Sequence, residues 1–287
     1  MSQSTQSANV RTVMQDFSLE MTGKDVDALR EAAPAIPAGT RINVTFLGNE
    51  DLQMRVTAAK AVKELGFIPV PHISARRLRS EDELKEFLQA LADVDAIKHV
   101  FAVGGDPAEP MGPYGSSLEM LQSGIFPDFG VEDVSIAGYP EGHPDISDEV
   151  LARELKGKVE VLEEQNLSGV ILTQFGFDID PVAKWLNELA EQNISIPIRI
   201  GVPGPAGIKR LLGYAKRFGV ASSAGIVKKY GFSLTNLMGN AGPDKFLRNL
   251  ADEAAASNYP GTVGVHFYTF GGMAKTAEWA QEFTNKL

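Results

Sequence analysis

Cysteine is absent from the chain, which excludes disulfides, thiolate metal sites and cysteine nucleophiles. The four histidines, at 72, 99, 143 and 266, are too scattered for a metal-ligand spacing such as His-Glu-x-x-His, so no metal is expected. No apolar run approaches the length of a membrane span, and the polar opening has no signal-peptide core. A cytoplasmic protein with no membrane partner is the expectation. Basic residues are outnumbered, 27 Lys and Arg against 37 Asp and Glu, and the net charge of −10 argues against nucleic acid as a partner. What remains is 44% hydrophobic and 22% charged over 287 residues, an ordinary composition with room for one α/β barrel of about 250 residues.

Read in order, the chain offers a flexible N-terminal tail over 1–15 and then one domain over 16–287. Strand candidates, β-branched or alternating, fall at 16–21, 41–46, 67–72, 96–103, 134–137, 168–173, 196–201 and 262–268. The two prolines of the third predict irregular pairing there. Helical segments lie between the strands: 25–33, 50–65, one opened by a Ser80–Glu83 capping box, 147–164, one capped by Asp180, 208–218 and 273–286. No Asn-Gly hairpin signal joins neighbouring strands, so the alternation predicts parallel strands with helical crossovers. Eight repeats predict a closed (β/α)8 barrel of TIM type. The longest departure, 219–261 between strands seven and eight, must hold one or two extra helices.

The stretch 133–144 shows how such a barrel presents chemistry: an apolar strand, a stop at Tyr139-Pro140, then Glu141 and His143 between prolines. A surface turn after a core strand is the plain alternative for that loop taken alone. The same layout recurs, with Glu20, Thr45, His72, Gly104-Gly105-Asp106, Gln174 and Tyr268 at or just after other strand ends. All would face one mouth, whereas Asp16, Arg41 and Asp133 at the opposite ends read as solvent-facing. The mouth offers carboxylates, imidazoles, an amide and phenols, but no serine triad and no strand-end lysine for a Schiff base. This inventory suits proton transfer and hydrogen bonding to a heterocycle, with Glu20 a general acid if its apolar flanks desolvate it. A salt-bridged barrel residue is the other meaning of Glu20. A carbon–carbon lyase is disfavoured by the missing lysine. His266, inside a strand, reads as a core histidine with a backbone partner, and His99 is assigned no role. Lys156 and Lys158 could reach a diphosphate, although a solvated lysine face is the commoner meaning of such a pair.

These marks, taken in order, resemble the catalytic barrel of the methylenetetrahydrofolate reductase family from about Asp16 onward: Ser18-Leu19-Glu20, Val44-Thr45-Phe46, Pro71-His72-Ile73, Gly104-Gly105-Asp106-Pro107, Tyr114-Gly115-Ser116, Ala137 to Pro144, Leu172 to Asp178, and His266-Phe267-Tyr268. The resemblance implies reduction of methylenetetrahydrofolate to methyltetrahydrofolate in one-carbon metabolism and methionine biosynthesis, with NADH or NADPH as reductant and FAD as bound cofactor. It implies Glu20 as the acid that opens the folate's imidazolidine ring. Asp106 would hydrogen-bond the pterin and set the electrostatics near the flavin pyrimidine edge, and Gln174 would contact folate and nicotinamide in turn. Thr45, His72, Gly104, Gly105, Tyr114, Tyr139 and His143 would line the flavin, Lys158 would lie near its diphosphate, and Tyr268 would support the folate site. The sequence departs from the family at Gly104, where an arginine is usual, and at Gly157, just before the diphosphate lysine. Flavin-independent hydride transfer from the nicotinamide is therefore the alternative implied, and a non-catalytic folate-binding protein is a third. Barrels of this kind commonly pair through outer helices, which leaves a homo-oligomer open.

Overall fold

Alternation along each strand sorts the side chains of this protein into two sets, one facing helices and one facing a barrel axis. The computed structural model describes residues 3–217, 242–270 and 272–287. Its strands are β1 (Ser18–Met21), β2 (Arg41–Val44), β3 (Ile68–Ser74), β4 (His99–Val103), β5 (Asp133–Gly138), β6 (Ser168–Phe175), β7 (Ile198–Pro203) and β8 (Val263–Tyr268). All eight are parallel and close in sequence order, β8 pairing with β1. The fold is the (β/α)8 TIM-type barrel. Leu19, Ile42, Ile73, Val134, Ile198 and Val265 point outward into one continuous core shared with the helices. Each such fully buried aliphatic side chain contributes roughly 1.5–3 kcal/mol. The inward set is different. Val70, Phe101 and Leu172 form a small separate apolar plug, and the alternation gives the positions around it to Ser18, Glu20, Asn43, His72, Ser135 and His266.

Several sequence expectations are corrected. Residues of the expected tail form helix α1 (Gln3–Met14), because Val10, Val13 and Met14 recur at helical spacing and are buried. Gln6 of α1 also donates to Asp252 at 2.6 Å, tying it to a helix far along the chain. The prolines of β3 do not disturb its pairing: Pro69 and Pro71 sit in regular register with Ile42 and Val44. Helix α7 (Ile179–Glu191) is capped by Asp178, not Asp180, whose backbone N–H the Asp178 carboxylate accepts at 3.4 Å. Ahead of α4 (Glu81–Ala92), Ser80 accepts from Glu83 N at 3.1 Å, but the Glu83 carboxylate reaches Arg79 N, so only half of the capping box forms. Of the extra segment after β7, helix α9 (Asp244–Ala256) is present, and 218–241 lies outside the described residues.

At the N-terminal end of the barrel Asp16 is exposed, as expected, but Arg41 and Asp133 are not part of a solvated rim. Asp133 is buried, pairs with Arg41 at 2.8 Å and lies 3.4 Å from His99 Nδ1. Burial pushes the Asp133 carboxyl up, but His99 and Arg41 outweigh it and hold the group below the usual carboxylate range. Arg199 lies nearby, and burial, reinforced by Arg41, brings it down to about 10. His99 thus has a structural role that its mid-strand position did not reveal.

Candidate functional site

At the other end of the barrel the strands present the chemistry. Glu20 and Ser18, two residues apart on β1, face inward together, and β8 is in register beside them with Ser18 opposite His266. His266 is fully buried; its Nδ1 lies 2.8 Å from Ser18 Oγ and its Nε2 lies 3.9 Å from Glu20 Oε2. The backbone carbonyl of Glu20 accepts from Thr269 Oγ1 at 2.7 Å, which anchors the end of β1 to the turn after β8. The Glu20 side chain retains 19% exposure, so it is reachable from the mouth.

Two further imidazole and phenol groups share this neighbourhood. His72 is buried, and among the described residues its Nε2 has no hydrogen-bond partner. Burial, reinforced by His266 and opposed by Glu20, pulls its pKa to about 4. His266 is lowered for the same first reason, with Glu20 opposing and Arg199 reinforcing. Both rings are therefore neutral at neutral pH. Tyr268 donates to Thr173 O at 3.1 Å. Burial, then Glu20 and Tyr139, push its phenol well up, so it stays a proton donor. Tyr139 is pushed up by burial alone and meets His143 edge to face at 5.4 Å. His143 Nδ1 accepts from Asp145 N at 3.1 Å, which leaves Nε2 to carry the ring proton.

Gln174 lies within an irregular stretch of β6. Between Leu172 and Phe175 the β6–β7 register shifts. Gly201 lets β7 approach there: its N–H donates to Thr173 Oγ1 at 2.8 Å, and a methyl group on it would lie 2.5 Å from Thr173 O. Gln174 Oε1 accepts from Phe175 N at 3.1 Å, which orients the amide and leaves its NH2 to donate.

Asp106 sits on a loop that β3 builds. Gly105 adopts φ of 98° and lies so close to Ser74 Oγ that a side chain would overlap it. Arg76 N donates to Gly104 O at 2.8 Å, and its guanidinium donates to the carbonyls of Pro107, Ala108 and Gly115. Asp106 itself pairs with Arg77 at 2.5 Å.

The expected residues do not all converge. Thr45 is buried at the end of β2, and among the described residues its Oγ1 has no hydrogen-bond partner. Tyr114 is buried, but the charges acting on its phenol are Glu81 and Lys85 of α4, on the helical side of the sheet. Lys158, on α6 (Asp148–Glu164), is buried; burial lowers it and only Glu154, one turn back, opposes. Lys156 is exposed and 3.8 Å from Glu160, a solvated pair. Sequence reading missed Ser18, although its i, i+2 spacing to Glu20 marked it, and Asn43, buried and in register with Glu20. His266 was expected to have a backbone partner and has Ser18 instead. Among the described residues no group of His, Asp and Glu could hold a metal ion, and no helix is long and apolar enough to cross a membrane.

Residues 11–221 match the family described as methylenetetrahydrofolate reductase. The chain is 25% identical over 236 residues to the 5,10-methylenetetrahydrofolate reductase of Salmonella typhimurium, covering 79% of this chain and 75% of that protein. It is 26% identical over 178 residues to the enzyme of that name from Pectobacterium carotovorum, covering 61% of this chain but only 57% of that one. Among solved structures, a protein from Clostridium thermocellum that binds two copies of 5-methyl-5,6,7,8-tetrahydrofolic acid superposes with a TM-score of 0.61 over 95% of this chain and 96% of its own, at 9% identity. The dihydropteroate synthase of Thermus thermophilus gives 0.50 over 95% and 94%, at 15% identity. At those identities the likeness is one of fold.

Proposed function

The chain belongs to the methylenetetrahydrofolate reductase family, and from that premise we propose that it reduces 5,10-methylenetetrahydrofolate to 5-methyltetrahydrofolate with NADH or NADPH. The observation that carries the reading is the line Ser18–His266–Glu20 at the mouth of the barrel, with neutral His72 beside it. Glu20 gives its proton to the ring nitrogen that leaves the methylene carbon, and the resulting iminium carbon accepts the hydride. The nicotinamide is oxidised, the folate carbon is reduced, and one proton from solvent restores Glu20. Neutral His266, anchored by Ser18, stands 3.9 Å from the carboxyl, beyond direct hydrogen-bond reach, and does not compete for its proton. Gln174 offers its amide NH2 to whichever ring lies over the mouth, and Tyr268 keeps β6 and β8 together beneath it. The ligand of the Clostridium protein, a methylated tetrahydrofolate, is in keeping with this substrate class.

Buried polar atoms without partners, Thr45 Oγ1 and His72 Nε2, fit the edge of a flat heterocycle, and the buried ammonium of Lys158 fits a diphosphate. FAD, when bound, supplies a two-electron store between nicotinamide and folate. Thr45, His72, Tyr139 and His143 would hold its ring, and Lys158 its diphosphate. A second reading, direct transfer from the nicotinamide without flavin, is favoured by Gly157. A methyl group there would lie 2.8 Å from Leu118, so α6 packs where a second cation would stand. We place the reaction in the cytoplasm, in the one-carbon supply to methionine synthesis.

The test is NAD(P)H oxidation by the purified chain, dependent on methylenetetrahydrofolate, with and without added FAD. Glu20→Gln should lower kcat about 100-fold or more with a small change in KM, the scale of lost general acid catalysis. Absence of wild-type turnover under both conditions overturns the enzyme reading. A flavin spectrum or FAD stimulation separates the two routes.

A further inference from the structure

Two adjoining arginines follow β3, and their donors are used differently. Arg76 gives Nε, Nη1 and Nη2 to three backbone carbonyls of the loop after β4. Arg77 has a single ion-pair partner among the described residues, Asp106 Oδ1 at 2.5 Å from Nη2. Its guanidinium lies against Gly48, in the loop after β2, where a methyl group would overlap it. That loop is itself held firmly. Buried Glu50 accepts from Gly23 N at 2.9 Å and Leu47 N at 3.2 Å. Arg55 lies 3.5 Å from the Phe46 ring centre and donates to Glu50 O at 2.8 Å. Arg77 is thus fixed from two sides and remains 20% exposed, while the Asp106 carboxylate is 77% exposed. Among the described residues, most guanidinium N–H groups and the second carboxylate oxygen have no partner.

We propose that Arg77 and Asp106 together read one edge of the bound pterin, with Arg77 selecting its 4-oxo group. Asp106 accepts from the ring N–H and the 2-amino group, and Arg77 donates to the neighbouring carbonyl oxygen. A fixed acceptor beside a fixed donor matches a cyclic amide, in which N–H and C=O are adjacent. An amino group in place of the oxo group would meet the guanidinium donor to donor. This deepens the folate reading and rests on it. The flavin pyrimidine carries the same kind of edge, so the experiment includes it.

The measurement is calorimetric binding of 5-methyltetrahydrofolate and of its 4-amino-4-deoxy counterpart to the wild type, Arg77→Met and Gly48→Ala, with an FAD titration of each. Arg77→Met should reduce the oxo-over-amino affinity ratio by roughly 10-fold or more, the equivalent of one charge-assisted hydrogen bond. Gly48→Ala keeps the arginine but displaces its guanidinium, and should lower the same ratio if Arg77→Met does not fold. A merely structural arginine would weaken both compounds equally and leave the ratio unchanged, which overturns the proposal. So does a loss confined to FAD. If neither folate binds the wild type, the folate reading itself fails; if both bind and the ratio is unmoved, only the role of Arg77 does.

Discussion

A buried imidazole at the mouth makes the stability of this protein depend on pH in a direction that can be worked out. His72 has its pKa brought to about 4 from 6.5, first by burial. Between those values the unfolded chain binds the proton and the folded one does not, so stability is fully present above about pH 6.5 and is lost as pH falls toward 4. The slope from this group is roughly 1.4 kcal/mol per pH unit in that window. Urea unfolding from pH 7 to 4 should therefore show a shallower loss in His72→Gln than in the wild type, and an equal slope would contradict the assignment. The same site shows the limit of reading residues singly. Glu20 was legible as a strand-end carboxylate, and Ser18 shares its face by simple alternation. The neutrality of His72 and His266 comes from enclosure, which composition does not report.

Among the elements, β6 depends on a glycine in its neighbour. The register shift beside Gln174 requires Gly201, because a methyl group there would meet Thr173 O at 2.5 Å and Gln174 O at 2.8 Å. Both contacts are to backbone, which cannot swing aside as a side chain can. Gly201→Ala should cost about 1–3 kcal/mol by overpacking, measured as thermal melting. KM for folate should rise with it, since the displaced segment carries Gln174. An unchanged melting temperature would mean the strands flex more easily than this packing implies. Element type was largely legible, since strand alternation and helix spacing are local patterns, but ends were less so. Strand β6 runs on to Phe175 because its ladder to β7 continues past the shift, and α1 exists because Val10, Val13 and Met14 find distant apolar partners. A polar opening gives no local hint of that docking.

Across the whole molecule the two ends of the barrel divide stability from chemistry. The Arg41–Asp133–His99 cluster lies at the N-terminal ends of the strands, and Arg199 beside it is the charge that still reaches His266. Removing one member leaves a poorly solvated charge behind, so Asp133→Asn should lower stability by about 3 kcal/mol or more. Its kcat/KM should stay within about twofold of the wild type, since Arg199, and not Asp133, is the charge of this cluster that acts on His266. A large kinetic effect with little loss of stability would reverse this division of labour.

Periodicity alone determined that eight parallel strands alternate with helices, and therefore that Glu20, Asp106, Gln174 and Tyr268 share one rim, because the pleat and the crossover rule act locally along any chain. Only the closed tertiary structure decided which atoms meet there. Ser18 and His266 are 248 residues apart and become neighbours because β8 returns to β1. Arg77 finds Asp106 because the loops after β3 and β4 emerge side by side. Such contacts depend on barrel closure and on the desolvation it brings, and no stretch of sequence carries either by itself.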